Sequence, residues 1–379
     1  MRLLLSCATP EFTGPAELML EDAVCLRAAG HDVTVAFDTR RAGSLRGRVE
    51  ALQLPIEDSL DLCRIADPAA SVRDVVRLRR LLRAGRYDTL HARFSHDHHV
   101  ALAALAGLDR SAFRLLRSCE LLHNAARGGA RGFVYGATDR FAVPSDEHAA
   151  ALVLHHAVDP GRIDRLPGRV DADRFAPGPS GLRAELGIPA AAPVVGIVSR
   201  IKADRLHDRL LAAFARAVRE VPDAWLVVVG RGEGEPSVRE LAGTLGLGRR
   251  VRFAGYRTGD ALADAYRALD VKAWLAPGND GTCRAVLEAM ASGCAVLGGR
   301  FGAVAEAVAD GATGRLCDPA DPVETGAALA WLLADRARAR ALGEAGRRRV
   351  LERYTPAGRA AALHALYARA WSARSARAA

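Results

Sequence analysis

Residues 277–293 combine the side chains and backbone groups that could bind a phosphorylated sugar. They lead from a glycine-containing loop into an apolar helix that begins near Thr282 and Cys283, and the amide groups of a helix N-terminus favour a phosphate. Asp280 precedes the helix and Glu288 lies one to two turns inside it, so both carboxylates could accept hydrogen bonds from sugar hydroxyls. Alternatively, Asp280 caps the helix and Glu288 forms a surface ion pair. An acidic residue in so apolar a helix usually has a specific partner, which favours the first interpretation.

Two arginines after another predicted strand could bind a diphosphate. Arg200 and Arg205 stand five residues apart at a strand-to-helix corner, and guanidinium groups can hold phosphate oxygens in a bidentate manner. The alternative is that both are simply solvated in an arginine-rich protein. A weaker anion site is predicted at Gly14, where the first helix begins, although the proline that follows is also a common helix-capping choice.

Two further motifs suggest chemistry that the rest of the sequence does not support. Gly230-Arg-Gly232-Glu-Gly resembles a dinucleotide-binding fingerprint, but Pro236 interrupts it and the first strand of its domain lies elsewhere, so we do not expect a nicotinamide site. His96 and the pair His98-His99 invite a metal interpretation. No other ligands of suitable spacing lie nearby, so acceptor contacts or a solvated surface are favoured, and no metal is expected.

Buried strands alternate with amphipathic helices along the chain, which predicts the elements that must position these residues. Strand Arg2–Cys7, a helix stopped by Gly30 and strand Asp32–Phe37 form one strand-helix-strand unit of the parallel kind. The alternation continues through strands at Tyr87–His91 and Arg114–Leu116 and stops at a linker rich in Pro and Gly. It restarts with the predicted strands Val194–Ser199, Trp225–Val229, Val251–Ala254, Val271–Leu275 and Ala295–Leu297. We therefore predict two doubly wound α/β domains, whose ligands bind outside the carboxyl ends of the strands and whose two edges could face one cleft. The predicted boundaries are 1–170 for the first domain, 171–181 for the linker and 182–356 for the second domain, with a C-terminal helix at 357–379 completing the first.

Composition excludes several classes of protein. The 379 residues carry a net charge of +9, but residues 336–379 hold eleven Arg against two Glu and therefore account for all of it. No basic run alternates with aromatic residues, so we expect no nucleic-acid partner. Seven scattered Cys without a Cys-x-x-Cys pair predict neither disulfides nor a zinc ribbon and fit a reducing cytoplasm. No stretch is long and apolar enough for a membrane span, although residues 71–93, with seven Arg beside valines, could either lie on an anionic membrane or form a solvated face.

One motif resembles the signature of retaining nucleotide-sugar glycosyltransferases of the GT-B fold, family four. It consists of Asp280, a gap of seven residues and the run Glu288-Ala-Met-Ala-Ser-Gly. Other stretches agree: the linker motif Pro-Gly-Arg-Val-Asp, Arg200 with Arg205, Val-Val-Val-Gly230-x-Gly232, Val251–Gly255 and Asp310-Gly-Ala-Thr-Gly. The amino half resembles the family more loosely, through Thr13-Gly14, Ala29–Thr34 and Asp88–His91.

The resemblance implies two Rossmann-like domains and a nucleoside diphosphate sugar of the UDP or GDP type, without a cofactor or metal. Arg200 and Arg205 would hold the diphosphate, Glu288 the ribose hydroxyls and Asp280 the transferred sugar. Stabilisation of the leaving group by arginines and amide dipoles would then carry much of the rate. The donor-binding positions that the resemblance implies are Gly14, Gly230, Gly232, Phe253, Tyr256, Gly281, Thr282, Cys283 and Glu288.

The sequence departs from the family at several of these positions. Asp280 stands where the family usually has Glu, Arg205 where it usually has Lys, and Pro15 where a second Gly is common. A His that the family often has near the end of one amino-terminal strand is missing in that register. Arg117, Glu120 or His123 could take its place, and His91 and Arg93 complete the acceptor-side candidates.

The expected function is retaining transfer of a hexose to a cell-envelope polysaccharide, a lipid-linked acceptor or a secondary metabolite, in the cytoplasm and in part at the membrane surface. A nucleotide-sugar epimerase, a phosphorylase and a non-catalytic nucleotide-sugar-binding protein are the alternatives. A phosphorylase would need a pyridoxal lysine, and neither Lys202 nor Lys272, the only lysines, lies in a suitable context.

Overall fold

The computed structural model describes residues 1–63, 68–120, 131–276 and 283–375. These residues form two compact units. Unit 1 contains residues 1–167 together with 359–375, and unit 2 contains residues 168–276 together with 283–358. Each unit is built around a parallel sheet of six strands.

The sheet of unit 1 has the strand order β2-β1-β3-β4-β5-β6. Its strands are β1 Arg2–Cys7, β2 Asp32–Phe37, β3 Thr89–Ala92, β4 Arg114–Ser118, β5 Arg140–Val143 and β6 Ile163–Arg165. Its helices are Gly14–Ala28, Leu45–Ala51, Pro68–Arg83, Ser95–Leu105, Arg131–Gly136, Asp146–His156 and Pro356–Ser375, with short 3-10 turns at Arg110–Ala112 and Pro160–Arg162.

Strand β1 shows why this sheet is covered on both faces. Leu3 and Leu5 point into a core that includes Tyr367 of the C-terminal helix, whereas Leu4 points into a second core that includes Leu78. A parallel strand with helices on both sides is apolar at every position rather than at alternate ones. The C-terminal helix is therefore a structural part of unit 1.

The sheet of unit 2 has the strand order β12-β11-β10-β7-β8-β9. Its strands are β7 Val194–Val198, β8 Trp225–Val229, β9 Val251–Gly255, β10 Val271–Trp274, β11 Ala295–Gly299 and β12 Gly314–Cys317. Its helices are Leu182–Glu185, His207–Glu220, Glu235–Thr244, Gly259–Arg267, Arg284–Ala291, Gly302–Ala307, Pro322–Leu333 and Arg336–Arg353, with a 3-10 turn at Ala203–Arg205.

The predicted fold class is confirmed, and the strands that consist of apolar runs have the predicted bounds to within two residues. Strands β5, β6 and β12 were not predicted. In the first two, Arg140 and Asp164 form an ion pair within the sheet, so polar residues stand where a buried strand usually shows apolar ones. Among the residues that the structure describes, no helix is long and apolar enough to cross a membrane.

Candidate functional site

The loop that follows β7 carries Arg200, and two glycines of a neighbouring loop hold it in place. The Ser199 amide donates to the carbonyl of Val229 at 3.0 Å. A Cβ atom on Gly230 would lie 1.9 Å from the Ser199 carbonyl oxygen, and one on Gly232 would lie 2.2 Å from the carbonyl oxygen of the residue after Arg200. The glycines therefore permit the close backbone approach that positions Arg200.

Arg200 and Arg205 differ in their surroundings. Arg200 is exposed; its carbonyl accepts a hydrogen bond from the Ser199 hydroxyl at 3.2 Å, and within the described part of the chain its guanidinium has no hydrogen bond or ion pair, although it acts electrostatically on Glu233. Arg205 is buried, and its guanidinium carbon lies 5.6 Å from the ring centroid of Trp274 at the end of β10. Of the two arginines predicted to bind the diphosphate, Arg200 is thus open to solvent and Arg205 is packed against a residue of the sheet.

Glu288 has the specific partner that its apolar helix predicts. The Tyr266 hydroxyl donates to Glu288 Oε2 at 2.8 Å, while Arg284 Nε lies 3.8 Å from Oε1. Burial raises the pKa of Tyr266 well above its usual value, and the neighbouring Glu288 carboxylate adds to that shift. Tyr266 therefore stays a protonated donor that orients the carboxylate. No pattern in the sequence revealed this contact, because Tyr266 lies on a separate helix.

Cys283 stands at the N-terminus of the helix that carries Glu288. Its backbone is left-handed, with φ of +47°, and its carbonyl accepts hydrogen bonds from Val286 and Leu287 at 2.8 and 3.1 Å. The amides before Val286 have no acceptor within the helix, as a phosphate site at this end requires. Asp280, Gly281 and Thr282, which were predicted for the same site, lie outside the described residues.

The two predicted aromatic contacts lie at the edge strand β9. Tyr256 follows the strand and is 59% exposed, with the Arg231 guanidinium carbon 4.6 Å from its ring centroid. Phe253 packs against the core and lies beneath the guanidinium of Arg239, 3.8 Å from the ring centroid. Tyr256 therefore presents an open aromatic surface at the carboxyl end of the sheet, whereas Phe253 is largely covered.

In unit 1, Gly14 begins the helix that follows β1, as predicted. Thr13 is the N-cap residue, but its side chain makes no capping hydrogen bond, and Pro15 occupies the first turn. The dipole of this 15-residue helix favours an anion at its N-terminus. Gly14 is thus placed where an anionic group could approach.

Two of the acceptor-side candidates belong to a buried network of four charges. Arg93 forms ion pairs with Asp22 and Glu120, and Asp22 also pairs with Arg359 at 3.0 Å. Burial alone would raise the pKa of Asp22, but Arg359 and Arg93 hold it below its usual value of 3.8. Asp22 and Arg359 were missed in the sequence, although a carboxylate on an apolar helix, the signal used for Glu288, points to Asp22 as well.

His91 and Arg117 lie on neighbouring strands of the same sheet. His91 Nδ1 is 2.7 Å from the Tyr367 hydroxyl and Nε2 is 2.9 Å from the Ser118 hydroxyl, so both ring nitrogens are engaged. Burial lowers the pKa of His91 to about 3, and the nearby Arg93 adds to the shift. Arg117 is fully buried, with its Nη2 atom 3.4 Å from Ser95 Oγ, whereas its Nε and Nη1 atoms have no hydrogen-bond partner among the described residues. His123 lies outside the described residues.

The histidines that suggested a metal lie at the start of the helix Ser95–Leu105. His98 Nε2 is 2.8 Å from the Thr138 hydroxyl, and Asp97 accepts hydrogen bonds from the amides of Arg93 and Phe94, both at 2.9 Å. Within residues 1–63, 68–120, 131–276 and 283–375, no group of three or more His, Cys, Asp or Glu side chains is arranged to hold a metal ion.

Comparison with known proteins relates each half of the chain to glycosyltransferases. Residues 181–349 match the family model for glycosyl transferases group 1, and residues 13–174 match that for glycosyltransferase family 4. A glycosyltransferase structure from Rickettsia africae superimposes with a TM-score of 0.82 at 14% identity, covering 97% of this chain and 98% of that one. The chain has the GT-B fold, and each half matches a glycosyltransferase family model.

Other GT-B proteins extend this comparison. Anabaena Alr3699/HepE, solved in complex with UDP, has a TM-score of 0.81 at 18% identity and covers 97% of this chain and 100% of its own. A D-inositol 3-phosphate glycosyltransferase of Nocardia farcinica is 35% identical over 213 residues, which are 54% of this chain and 47% of the relative. A protein of the same name from Catenulispora acidiphila, numbered 2, is 36% identical over 53% of this chain and 49% of its own length. The matches thus span about half the length of these curated relatives.

Proposed function

We propose that this GT-B protein is a retaining glycosyltransferase that uses a nucleoside diphosphate hexose of the UDP or GDP type. The observation that carries the proposal is Arg200, an exposed cation whose guanidinium makes no hydrogen bond or ion pair among the described residues and which lies on the same loop as the buried Arg205. Both lie in the unit that matches glycosyl transferases group 1. The UDP and UDP-glucose complexes of the Anabaena relative support a uridine diphosphate donor.

The donor would contact groups at the carboxyl ends of the strands of unit 2. Arg200 and Arg205 hold the diphosphate, together with the amides of the helix that begins after Cys283. Glu288, oriented by the Tyr266 hydroxyl, accepts hydrogen bonds from the ribose. Within the same proposal, the open ring of Tyr256 packs against the nucleobase, Gly230 and Gly232 keep the arginine loop in place, and Asp280, Gly281 and Thr282 contact the sugar and its phosphate.

The chemical step follows from these charges. When the bond between the sugar and the diphosphate breaks, negative charge grows on the leaving phosphate oxygen, and preorganised arginines stabilise it more in the transition state than in the ground state. The acceptor hydroxyl attacks on the same face of the sugar, so the configuration is retained. In this proposal the two guanidinium groups supply the positive charge, so the reaction needs neither a metal ion nor another cofactor.

The acceptor would contact unit 1, near Gly14 and Arg117. A cell-envelope glycan, a lipid-linked sugar or a secondary metabolite is proposed, with a phosphorylated polyol as a second candidate. The Nε and Nη1 atoms of Arg117, which have no hydrogen-bond partner among the described residues, favour an acceptor with an anionic group, and the curated relatives are named for inositol 3-phosphate. We place the reaction in the cytoplasm, where the exposed Val72 and Val76 of helix Pro68–Arg83 could contact a membrane surface.

A thermal-shift panel of UDP, GDP, ADP and dTDP sugars tests the donor site. A ligand at about 100 times its dissociation constant adds about 2.7 kcal/mol of stability, so at least one sugar nucleotide should raise the melting temperature. Arg200→Ala and Glu288→Ala should abolish donor hydrolysis or transfer. No shift with any donor would disprove the donor site, and tight binding without turnover for any acceptor would favour a non-catalytic binding protein or an epimerase.

A further inference from the structure

Strand β10 in the centre of the unit 2 sheet contains a buried lysine. Lys272 is fully buried, and its Nζ atom donates to the carbonyl of Ala273 at 3.0 Å and lies 3.5 Å from that of Val198. None of the carboxylates that the structure describes forms an ion pair with it. A buried ammonium without a counter-ion is costly in free energy, so this position needs a reason beyond packing.

Trp274, two residues further along β10, brings a second cation to the same place. Lys272 Nζ lies 5.0 Å from the Trp274 ring centroid, and the guanidinium carbon of Arg205 lies 5.6 Å from it. The indole Nε1 of Trp274 is buried and has no hydrogen-bond partner among the residues that the structure describes, although an indole N–H can only donate. Two cations thus pack around one indole ring near the carboxyl end of β10, and N–H donors carried by cationic and indole side chains are the groups that bind an anion.

The groups that face Lys272 determine how readily it holds its proton. Burial is the main cause that lowers the pKa of Lys272 to about 7; Cys294 and Glu288 oppose this shift, and Arg205 adds a smaller part to it. Burial raises the pKa of Cys294 to about 12, so this thiol is neutral at physiological pH. Burial and the charge of Lys272 lower the pKa of His207 to about 4, so this ring is neutral as well. Glu288 is therefore the one carboxylate among these groups, and it is already hydrogen-bonded to Tyr266.

We propose that Lys272 and the indole N–H of Trp274 bind the diphosphate of the donor, and that at neutral to alkaline pH the Lys272 side chain takes up a proton when this diphosphate binds. The inference rests on the proposed function and adds two donor-binding residues to it. The diphosphate supplies the missing negative charge beside Arg205, which favours the ammonium over the neutral amine. Above about pH 7 the binding event therefore takes up a proton from the buffer, and no covalent bond changes.

Calorimetric titration with UDP-glucose and GDP-mannose, without acceptor, tests this inference. A diphosphate esterified at both ends has no terminal phosphate that titrates near pH 6, so proton uptake reports on the protein. For the donor that binds, the uptake measured in buffers of different ionisation enthalpy should approach one proton per ligand at about pH 8.5 and vanish at about pH 5.5. Affinity should fall as the pH rises from about 7.

Lys272→Met keeps the volume of the side chain and removes its charge. We expect the uptake to disappear and the affinity at about pH 6 to fall by about ten- to a hundredfold, the equivalent of one charge-assisted hydrogen bond. Trp274→Phe, which retains the ring, should weaken binding by about fivefold. Lys202→Met is the matched control, because Lys202 pairs with the exposed Glu233 at 3.1 Å, and it should retain the proton uptake.

The melting temperature of the unliganded Lys272→Met variant separates a binding role from a structural one. Removal of an unpaired buried charge should leave the melting temperature unchanged or raise it, whereas a purely structural lysine would lower it. If Lys272→Met binds the donor with the affinity and the proton uptake of the wild-type protein, the inference is overturned and the proposed function stays intact. Failure of the wild-type protein to bind either sugar nucleotide would overturn both.

Discussion

The buried network around Asp22 should make unit 1 strongly dependent on one carboxylate. Arg93 and Arg359 are balanced by Asp22 and Glu120, and all four side chains are at least nine-tenths buried. Asp22→Asn keeps the shape of the side chain and leaves two cations opposite one carboxylate. Breaking a buried ion pair in this way costs about 3–5 kcal/mol. We therefore expect a loss of that size in the free energy of unfolding of unit 1.

Trp371 provides the assay, because it is the only one of the four tryptophans that lies in unit 1. Its indole N–H donates to the Thr89 hydroxyl at 3.1 Å, so the ¹⁹F resonance of a fluorotryptophan at this position reports unfolding of the unit. Urea titrations of wild type and Asp22→Asn then give the difference directly. Asp58→Asn is the control, because Asp58 and its partner Arg46 are exposed, and a surface ion pair contributes about 1 kcal/mol or less.

A double variant sharpens the test. Asp22→Asn combined with Arg359→Met again leaves one cation opposite one carboxylate, so a substantial part of the lost stability should return. The two substitutions should thus show a coupling energy of about 1–3 kcal/mol in a double-mutant cycle. A loss in Asp22→Asn no larger than that in Asp58→Asn, or strict additivity in the cycle, would refute the argument from uncompensated charge.

Three further predictions concern single contacts. Tyr266→Phe removes the hydrogen bond to Glu288 and should lower the free energy of unfolding of unit 2, measured by urea titration, by about 1.5–3 kcal/mol. The affinity for the sugar nucleotide, measured by calorimetry, should fall as well. An unchanged affinity would mean that the Glu288 carboxylate does not need the Tyr266 hydroxyl to orient it. Gly230→Ala should lower the free energy of unfolding by more than about 2 kcal/mol and weaken donor binding, because the new Cβ would lie 1.9 Å from a carbonyl oxygen at a φ of +143°. Gly243→Ala is the control: nothing lies within 4 Å of its new Cβ, so its stability should be unchanged or higher. Folding lowers the pKa of His91 from 6.5 to about 3, so as the pH falls the unfolded chain binds the proton before the folded one does. Between these values the free energy of unfolding of unit 1 should therefore fall by up to about 1.4 kcal/mol per pH unit. His91→Gln should reduce this dependence of stability on pH, and an unchanged dependence would contradict the prediction.

The fold could be predicted wherever burial alone determines the sequence. Strands such as Trp225–Val229 are continuous apolar runs and have the predicted bounds. Strand β5 begins with Arg140, whose charge is acceptable only because Asp164 of the neighbouring strand pairs with it. That pairing exists only after the sheet has formed, so no local pattern in the sequence reveals it.

The candidate site divides along the same line. Arg200 and Glu288 could be found from the sequence because each belongs to a short motif: Arg200 stands five residues before Arg205, and Glu288 stands eight residues after Asp280. The hydrogen bond from Tyr266 spans 22 positions, and the ion pair between Asp22 and Arg359 spans 337. The burial of Lys272 depends on the central place of β10 in the sheet. These features arise from contacts between residues that are far apart in the sequence, so a short sequence motif cannot reveal them.

The C-terminal helix Pro356–Ser375 has a consequence for the order in which the protein assembles on the ribosome. Unit 1 begins at the first residue but needs Arg359 and Tyr367 for its buried charges and its core, whereas unit 2 is already complete at residue 358. Although it is synthesised later, unit 2 can therefore finish folding before unit 1 does. Until the last helix emerges, the nascent amino-terminal half exposes apolar surface and a carboxylate without its second arginine, which makes it the half that a chaperone would bind.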